Sequence, residues 1–359
     1  MPFDAKWEDY QRMALRFAES LDGSEPLAVA RAYAGFGRRF AQDRDSLPQT
    51  DADRAFHLVA TATDLIDYQL PFATDEEAET IIPHAHRVLE EAVSLDANCF
   101  DAIRMDEASR CPSFESYYVF LQEREPEVRA VCAQAREQAA KETGDSSTER
   151  LELACALATW PHLRWLAMMA SKALICGRNR ETLRFCNELL DLDLNDNAGA
   201  RYTAALAYAK LEDEQGLDQL EARCRRLTQS SAGTDAWMLI ARLALAHRKR
   251  DLPRARQLVS KLIELYPQAV VALARQRELP DGVFSRLAVP PFSEDELILA
   301  LSEATVLTQE GRDSLGKGAL GSWLLQESLA HATRAQLDEL GDVIEGMGPL
   351  GTAFMGGAQ

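Results

Sequence analysis

The chain has 359 residues, with 57 acidic and 39 basic side chains and a formal net charge of −18 at pH 7. Its composition, 47% hydrophobic and 27% charged, is that of an ordinary folded protein and excludes wholesale disorder. No stretch approaches the roughly 18 consecutive apolar residues of a membrane span, and the acidic start lacks the pattern of a secretory signal, so we expect a cytoplasmic protein without membrane contact.

Helix-forming residues dominate the whole chain. Windows of about a dozen residues rich in Ala, Leu, Glu, Arg and Gln alternate with short breaks at Asp, Asn, Gly or Pro. Strand-like alternation of Val, Ile and Thr is almost absent, so the sequence predicts an all-α protein. The predicted helices cover residues 4–20, 26–42, 51–68, 75–95, 98–110, 114–120, 124–143, 147–159, 162–176, 179–192, 198–211, 215–228, 235–249, 252–265, 293–308 and 319–331.

Three pairs of helices follow one another with a similar pattern between residues 160 and 268. Their turns fall at Gly177, Glu212 and Arg250, and leucines supply the apolar faces. A weaker copy of the second helix occurs at 85–102. Because one helical pair cannot bury its apolar face alone, we expect successive pairs to stack on one another.

This period of about 34–37 residues, marked by small, aromatic and Pro residues, resembles the tetratricopeptide repeat (TPR). The Gly of the TPR consensus is replaced here by Ala170, Ala205 and Leu243. The segments at 194–202 and 278–304 are also similar to uncharacterised bacterial repeat proteins related to the suppressor-of-tumorigenicity family. The resemblance implies a right-handed α-solenoid of TPR-like helical hairpins and an interaction role, and it implies no reaction.

The repeats suggest how the chain is organised. The predicted regions are an N-terminal helical region (1–74), divergent helical repeats (75–159), TPR-like repeats (160–268), a C-terminal helical cap (269–347) and a flexible tail (348–359).

In a TPR-like array, the first helix of each pair lines a concave groove. We therefore expect a non-catalytic adaptor or scaffold that binds a protein or peptide partner in this groove. The groove-facing contacts predicted from the repeat register are Arg164, Tyr202, Lys210, Trp237, His247 and Arg248. The alternative for Tyr202 and Trp237 is that they pack against the adjacent repeat, because apolar residues at helical spacing are usually core.

Charge is distributed unevenly along the chain. Residues 160–261 carry 17 basic and 12 acidic side chains, whereas residues 1–159 carry 16 basic and 31 acidic ones. This basic island favours an acidic partner. Alternatively, its Lys and Arg side chains complement the dipoles at helix C-termini. The overall charge and the lack of a recognised motif disfavour nucleic acid as a partner.

No residue pattern indicates catalysis, a metal site or a cofactor. The glycine-rich segment 311–321 lacks the Ser or Thr that a phosphate-binding loop needs after Lys317, so we interpret it as a linker. His84 and His86 would point to different sides of a helix and would not share a metal. The seven cysteines are widely separated, which is typical of reduced, mostly structural thiols.

Two other functions remain open from the sequence. The first is an enzyme whose site lies in the N-terminal 150 residues, where His57, His84, Cys111 and Asp101 fall. The second is a self-assembling component, a homo-oligomer in which the Trp237 face binds a second copy.

Overall fold

The computed structural model of the protein describes residues 3–21, 24–142, 147–227, 234–280, 282–311 and 317–347. Within these ranges every regular element is helical and no strand occurs, which confirms the all-α prediction. The chain forms two compact units. Unit 1 comprises Met1–Lys172 with Pro280–Leu287, and unit 2 comprises Ala173–Leu279 with Ala288–Gln359.

Unit 1 is built from six helices and most of a seventh. They are α1 (Ala5–Ser20), α2 (Pro26–Gln42), α3 (Asp51–Thr63), α4 (Asp75–Leu95), α5 (Phe100–Arg110), α6 (Phe114–Glu142) and α7 (Thr148–Ile175). A π-helical turn, Asp64–Gln69, follows α3.

Unit 2 contains the end of α7 and the remaining helices. They are α8 (Asn179–Leu192), α9 (Ala200–Lys210), α10 (Glu214–Cys224), α11 (Ala236–Arg248), α12 (Leu252–Leu265), α13 (Ala269–Arg275), α14 (Glu294–Glu303), α15 (Thr305–Thr308), α16 (Ala319–Ala330), α17 (Arg334–Glu339) and α18 (Gly341–Gly346). No helix in the described ranges is both long enough and apolar enough to cross a membrane.

Local capping chemistry explains where many helices start. Before α3, the Thr50 hydroxyl accepts from the amide of Asp53, and the Asp53 carboxylate accepts from the amide of Thr50. Thr74 and Glu77 make the same reciprocal pair before α4. Each pair satisfies backbone donors that the first helical turn leaves without an intrahelical acceptor.

Two predicted breaks between helices, at 121–123 and at 160–161, are wrong. Helix α6 continues through Pro126 and α7 continues through Pro161, so the predicted boundary at 159/160 lies inside a helix. A proline inside a helix leaves the carbonyl four residues earlier without its usual donor. For Pro161 that carbonyl belongs to Leu157, and Arg12 Nη2 donates to it at 3.4 Å. Burial of Leu157 also favours the unbroken helix.

The segment Pro280–Leu287 belongs to unit 1 although it follows α13 in sequence. The backbone amides of Val283 and Phe284 donate to the Asp67 carboxylate at 2.8 and 3.1 Å. Arg104 Nη2 donates to the carbonyl of Phe284 at 3.0 Å. The predicted C-terminal cap, 269–347, therefore contributes a non-helical segment to unit 1. Side chains more than 170 residues earlier in the sequence hold this segment.

In unit 2, α13 and the last three helices share one apolar core. The buried members of this core are Val271, Ala274, Leu325, Leu329, Leu337, Leu340, Ile344 and Met347. The predicted flexible tail at 348–359 lies outside the described residues.

Candidate functional site

Five of the six predicted contacts lie on two neighbouring helices of unit 2. Tyr202 and Lys210 are on α9, and Trp237, His247 and Arg248 are on α11. The two helices pack against each other. The rings of Tyr202 and Trp237 stack with their centroids 4.0 Å apart. The structure thus brings these five residues onto one face, which we call the α9–α11 face.

The α9–α11 face is covered by helices from the C-terminal part of the same unit. Trp237 is only 2% exposed, and its indole Nε1 donates to Glu303 Oε2 on α14 at 2.7 Å. Lys210 Nζ donates to the backbone carbonyl of Val306 on α15 at 3.1 Å. The indole and the ammonium therefore satisfy their hydrogen bonding within the chain.

The far end of the face is covered in the same way. Glu310 forms ion pairs with Arg248 and with Lys210, the latter at 3.1 Å. The ring of His247 lies 5.2 Å from that of Trp323 on α16. Burial lowers the pKa of His247, and the nearby charge of Arg248 lowers it further.

Three carboxylates seven residues apart line the covering segment. Glu296 accepts from the backbone amide of Ala236 at 3.1 Å and from the hydroxyl of Tyr266 at 3.0 Å. Glu303 and Glu310 follow at successive seven-residue intervals and make the contacts described above. Burial raises the pKa of Glu296, whereas its hydrogen bonds act in the opposite direction. Glu296 and Glu303 are two turns apart on α14 and therefore share a face of that helix, whereas Glu310 follows the end of α15.

This arrangement differs from the open groove that the repeat register predicts. Tyr202 and Trp237 pack inside unit 2, which is the alternative weighed for them from the sequence. The repeat register could not predict these covering helices, because α14 follows α11 by almost 50 residues and a non-helical segment. The only signal of these contacts in the sequence is the seven-residue spacing of Glu296, Glu303 and Glu310.

Arg164 does not belong to this face, and its predicted exposure in a groove is wrong. It is 2% exposed in unit 1, where Nη1 pairs with Glu8 at 2.7 Å and Nη2 pairs with Asp101 at 2.5 Å. Its guanidinium also lies over the ring of Phe284, 4.4 Å from the centroid. Arg104 pairs with the same Asp101 at 3.0 Å. A buried guanidinium needs such partners, so Arg164 is part of a structural ion cluster.

The ion cluster predicts how stability depends on pH. Burial by itself raises the pKa of Asp101, but attraction and hydrogen bonding from Arg164 outweigh it and hold the pKa at about 2, against an ordinary 3.8. A carboxyl whose folded pKa is depressed stabilises the folded state above its unfolded pKa and loses that effect as the pH falls. We therefore expect the urea midpoint to fall between pH 4 and pH 2, and to fall less steeply in Asp101→Asn. Equal slopes in the two proteins would contradict this.

Acids within the chain neutralise much of the basic island. Lys249 and Arg254 both pair with Glu214, at 2.5 and 2.8 Å, and their hydrogen bonds lower the pKa of that carboxyl to about 2. Arg223 pairs with Asp191 at 2.8 Å. These pairs link neighbouring helices, in line with the alternative reading of the island as structural charge.

Three of the residues named for the enzyme alternative contact groups outside that set. His57 Nδ1 lies 2.7 Å from Asp9, Asp101 is held in the ion cluster, and the Cys111 thiol donates to Glu107 at 3.4 Å. Among the residues that the structure describes, no group of three or more His, Cys, Asp or Glu side chains could hold a metal ion.

Close packing explains two glycines of the segment 311–321. A Cβ at Gly318 would lie 2.2 Å from the carbonyl oxygen of Glu310, and one at Gly321 would lie 2.5 Å from that of Thr308. A side chain at either position would therefore clash with backbone. The centre of this predicted linker, 312–316, lies outside the described residues.

Comparisons of the chain with models of known protein families, with characterised proteins and with solved structures found no significant match.

Proposed function

We propose that the protein is a non-catalytic interaction module, an adaptor or scaffold, whose helical hairpins are TPR-like and stack as a right-handed α-solenoid. The turns inside successive hairpins support the repeat. Each contains a residue in the left-handed region, Gly177 (φ 74°), Glu212 (φ 57°) and Arg250 (φ 58°), at intervals of 35 and 38 residues. A recurrent backbone conformation at a regular interval is typical of a repeated supersecondary unit.

A partner that docks on the α9–α11 face has to replace the helices that cover it. Leu297, Leu301 and Leu307 of the cover are buried. Burying one such side chain contributes roughly 1.5–3 kcal/mol, so the three together oppose displacement by several kcal/mol. We therefore place the partner on a surface that is exposed, and we assign the α9–α11 face to holding unit 2 together.

The observation that carries the proposal is the set of large apolar side chains exposed on the α1–α2 hairpin. Trp7 is 53% exposed, Leu27 63% and Tyr33 41%. We propose that these exposed apolar side chains, which lie on the two helices of one hairpin, contribute to the interaction surface. His57, Asp101 and Cys111 each contact residues outside the set considered for catalysis, so we propose recognition as the function.

Affinity capture from native lysate tests this proposal with two variants of the full chain. The first, Leu27→Glu/Ala34→Glu, places charge on the exposed α2 surface. The second, Arg248→Glu/Lys249→Glu/Arg250→Glu, changes the basic turn after α11. We expect wild type and the basic-turn variant to recover the same specific proteins, and the α2 variant to lose them.

A reversed pattern, with loss only in the basic-turn variant, would place the partner on the basic edge and refute the location proposed here. If the wild-type chain recovers no specific protein, the adaptor proposal itself fails. Circular dichroism of each variant establishes that it keeps its helices.

A further inference from the structure

A serine, a histidine and an aspartate from two adjacent helices of unit 1 contact one another. His86 lies on α4, Asp106 and Ser109 lie on α5, and the two helices pack together. His86 Nδ1 lies 2.7 Å from Asp106 Oδ1, and His86 Nε2 lies 3.2 Å from the hydroxyl oxygen of Ser109. Asp106 and Ser109 are three residues apart and therefore share a face of α5. We call these three residues the Ser109 cluster.

The contacts of the Ser109 cluster assign a role to each ring nitrogen of His86. An ionised carboxylate only accepts hydrogen bonds, so Nδ1 carries the proton that is donated to Asp106. In the neutral imidazole Nε2 is then the acceptor, and the Ser109 hydroxyl donates to it. A hydroxyl within hydrogen-bond reach of a base that a third group orients is the arrangement that activates serine as a nucleophile.

The carboxylate of the Ser109 cluster is itself held in place. Arg110 Nε pairs at 2.9 Å with Asp106 Oδ2, the oxygen that does not contact the imidazole. Arg110 Nη2 also pairs with Glu90 on α4 at 2.8 Å. Asp106 and His86 are partly buried, whereas Ser109 is exposed. The base is therefore fixed between two helices while the hydroxyl is open to a small molecule from solvent.

The neighbouring thiol lacks such activation. Burial raises the pKa of Cys111, and its hydrogen bond to Glu107, together with the negative charge of that carboxylate, raises the pKa further. The reactive form of cysteine is the thiolate, which a raised pKa disfavours. Ser109 is therefore the nucleophile that the local geometry favours.

We propose that Ser109 is a site of covalent acylation that takes its acyl group from an activated, uncharged ester or thioester. The Ser109 oxygen attacks the carbonyl carbon, and its proton moves to His86 Nε2. The bond between the carbonyl carbon and the leaving oxygen or sulfur breaks, and the leaving group departs with the electron pair and receives the proton from His86. The product is an ester at Ser109, and no group is oxidised or reduced.

This inference goes beyond the proposed function and is compatible with it. An acylated serine is a modified residue of the chain, and its formation requires no turnover. Ser109 lies on α5, whereas the apolar side chains proposed for partner binding lie on α1 and α2.

Charge selects the class of acyl donor. Two carboxylates, Asp106 and Glu90, share the single guanidinium of Arg110 beside the cluster. The surrounding residues 1–159 carry 31 acidic against 16 basic side chains. This region repels an anionic donor such as an acyl phosphate. An uncharged donor does not meet that repulsion.

The alternative is that the cluster only holds α4 against α5. The Ser109 hydroxyl also donates to the carbonyl of Asp106 at 3.0 Å, a common contact of helical serines. Ser94 on α4 is also exposed, and its hydroxyl donates in the same way to the carbonyl of Glu91 at 2.7 Å. In the described part of the chain no imidazole contacts Ser94. It is therefore an internal standard for a helical serine without a base.

The test treats the full chain with p-nitrophenyl acetate and follows acetylation by mass spectrometry of tryptic peptides. Ser109 is the only hydroxyl-bearing residue of the peptide 105–110, and Ser94 is the only one of the peptide 88–104. The variants are His86→Asn and the matched control His84→Asn, which changes an exposed histidine two residues earlier on the same helix. Urea unfolding of each variant establishes that it is folded.

We expect Ser109 to be acetylated at least about tenfold faster than Ser94 in the wild-type chain. A positioned general base contributes roughly 100-fold or more in enzymes, and this one is open to water. His86→Asn should lower the rate at Ser109 to that at Ser94, and free imidazole should restore part of it. His84→Asn should leave the rate unchanged.

Asp106 is a positioning residue, because it acts on Ser109 only through His86. Asp106→Asn is expected to slow acetylation of Ser109 and to move the proton of the neutral imidazole of His86 towards Nε2, since an amide can donate to Nδ1. Nitrogen chemical shifts of the imidazole report which nitrogen is protonated. An unchanged tautomer together with an unchanged acetylation rate would show that Asp106 has only a structural role.

The donor class is tested with the anionic ester 4-acetoxy-3-nitrobenzoate. Each rate at Ser109 is divided by the rate of the same donor with N-acetylserinamide, which corrects for intrinsic reactivity. We expect the corrected rate to be lower for the anionic ester than for p-nitrophenyl acetate. A higher value for the anionic ester would refute the proposed donor class.

Three results would overturn the acylation site itself. They are equal acetylation of Ser109 and Ser94, an unchanged rate in His86→Asn, and an equal loss in His84→Asn. Acetylation of Cys111 in place of Ser109 would assign the reactivity to the thiol and would also refute the proposal. The comparison of Ser109 with Ser94 is made within the wild-type chain, so it does not depend on how the variants fold.

Discussion

Replacing Arg164 by leucine is expected to lower the free energy of unfolding of unit 1 by about 3–5 kcal/mol, because two buried carboxylates lose a shared partner. Arg164 is the only side chain within the described ranges shown to pair with both Glu8 and Asp101. Arg12 and Arg104 would each retain one of these acids. We expect Arg164→Lys to rescue little, since an ammonium lacks the planar fork that reaches both carboxylates.

Unfolding in urea is monitored through the hydrogen exchange of peptides from α1 and α5, because these peptides report on unit 1 alone. Arg54→Leu is the matched control, because Arg54 makes only an exposed pair with Asp51. We expect this control to change stability by less than about 1 kcal/mol. Equal stability of Arg164→Leu and Arg54→Leu would mean that Arg164 is accessible to solvent and is not part of a buried cluster.

Replacing Trp237 by alanine is expected to destabilise unit 2 by about 3–5 kcal/mol, the usual cost of removing a large buried aromatic side chain. The substitution empties the space between Tyr202 and α14 and removes the donor to Glu303. Hydrogen exchange in peptides from α11 and α14 should accelerate together, because the two helices stabilise each other across this contact.

The matched control is Trp7→Ala. Trp7 stacks on Tyr10 but is half exposed, so we expect a loss of less than about 1 kcal/mol. The comparison also decides between the two interpretations of the α9–α11 face. If Trp237→Ala is as mild as Trp7→Ala, the C-terminal helices do not cover that face in solution, and the open groove predicted from the repeat register is correct.

Much of the local structure is readable from the sequence because it depends on nearby residues. Capping pairs such as Thr50 with Asp53 lie three residues apart, and the turn at Arg250 separates two amphipathic helices that are each visible by spacing. The predicted breaks at 121–123 and 160–161 were wrong, and the second lies at Pro161, where local propensity argues for a break. Burial of apolar residues on both sides of a proline, and a donor from another helix, outweigh one lost hydrogen bond.

The candidate site shows the same division. Register placed Tyr202, Lys210, Trp237, His247 and Arg248 on one face, because residues at repeat-related positions of neighbouring helices come together. The residues that contact the α9–α11 face could not be predicted in the same way. Glu303 lies 66 residues after Trp237, and no local rule links an indole to a carboxylate at that separation.

The sequence by itself determined that the protein is all-helical and where most of its helices begin and end. These follow from periodicity and capping, which act over a few residues. Only the tertiary structure decided that Arg164 is buried between Glu8 and Asp101, that α14–α16 cover the α9–α11 face, and that most of α2 stays at the surface. Burial depends on which distant segments compete for an apolar or charged surface, and that competition is settled by packing of the whole chain.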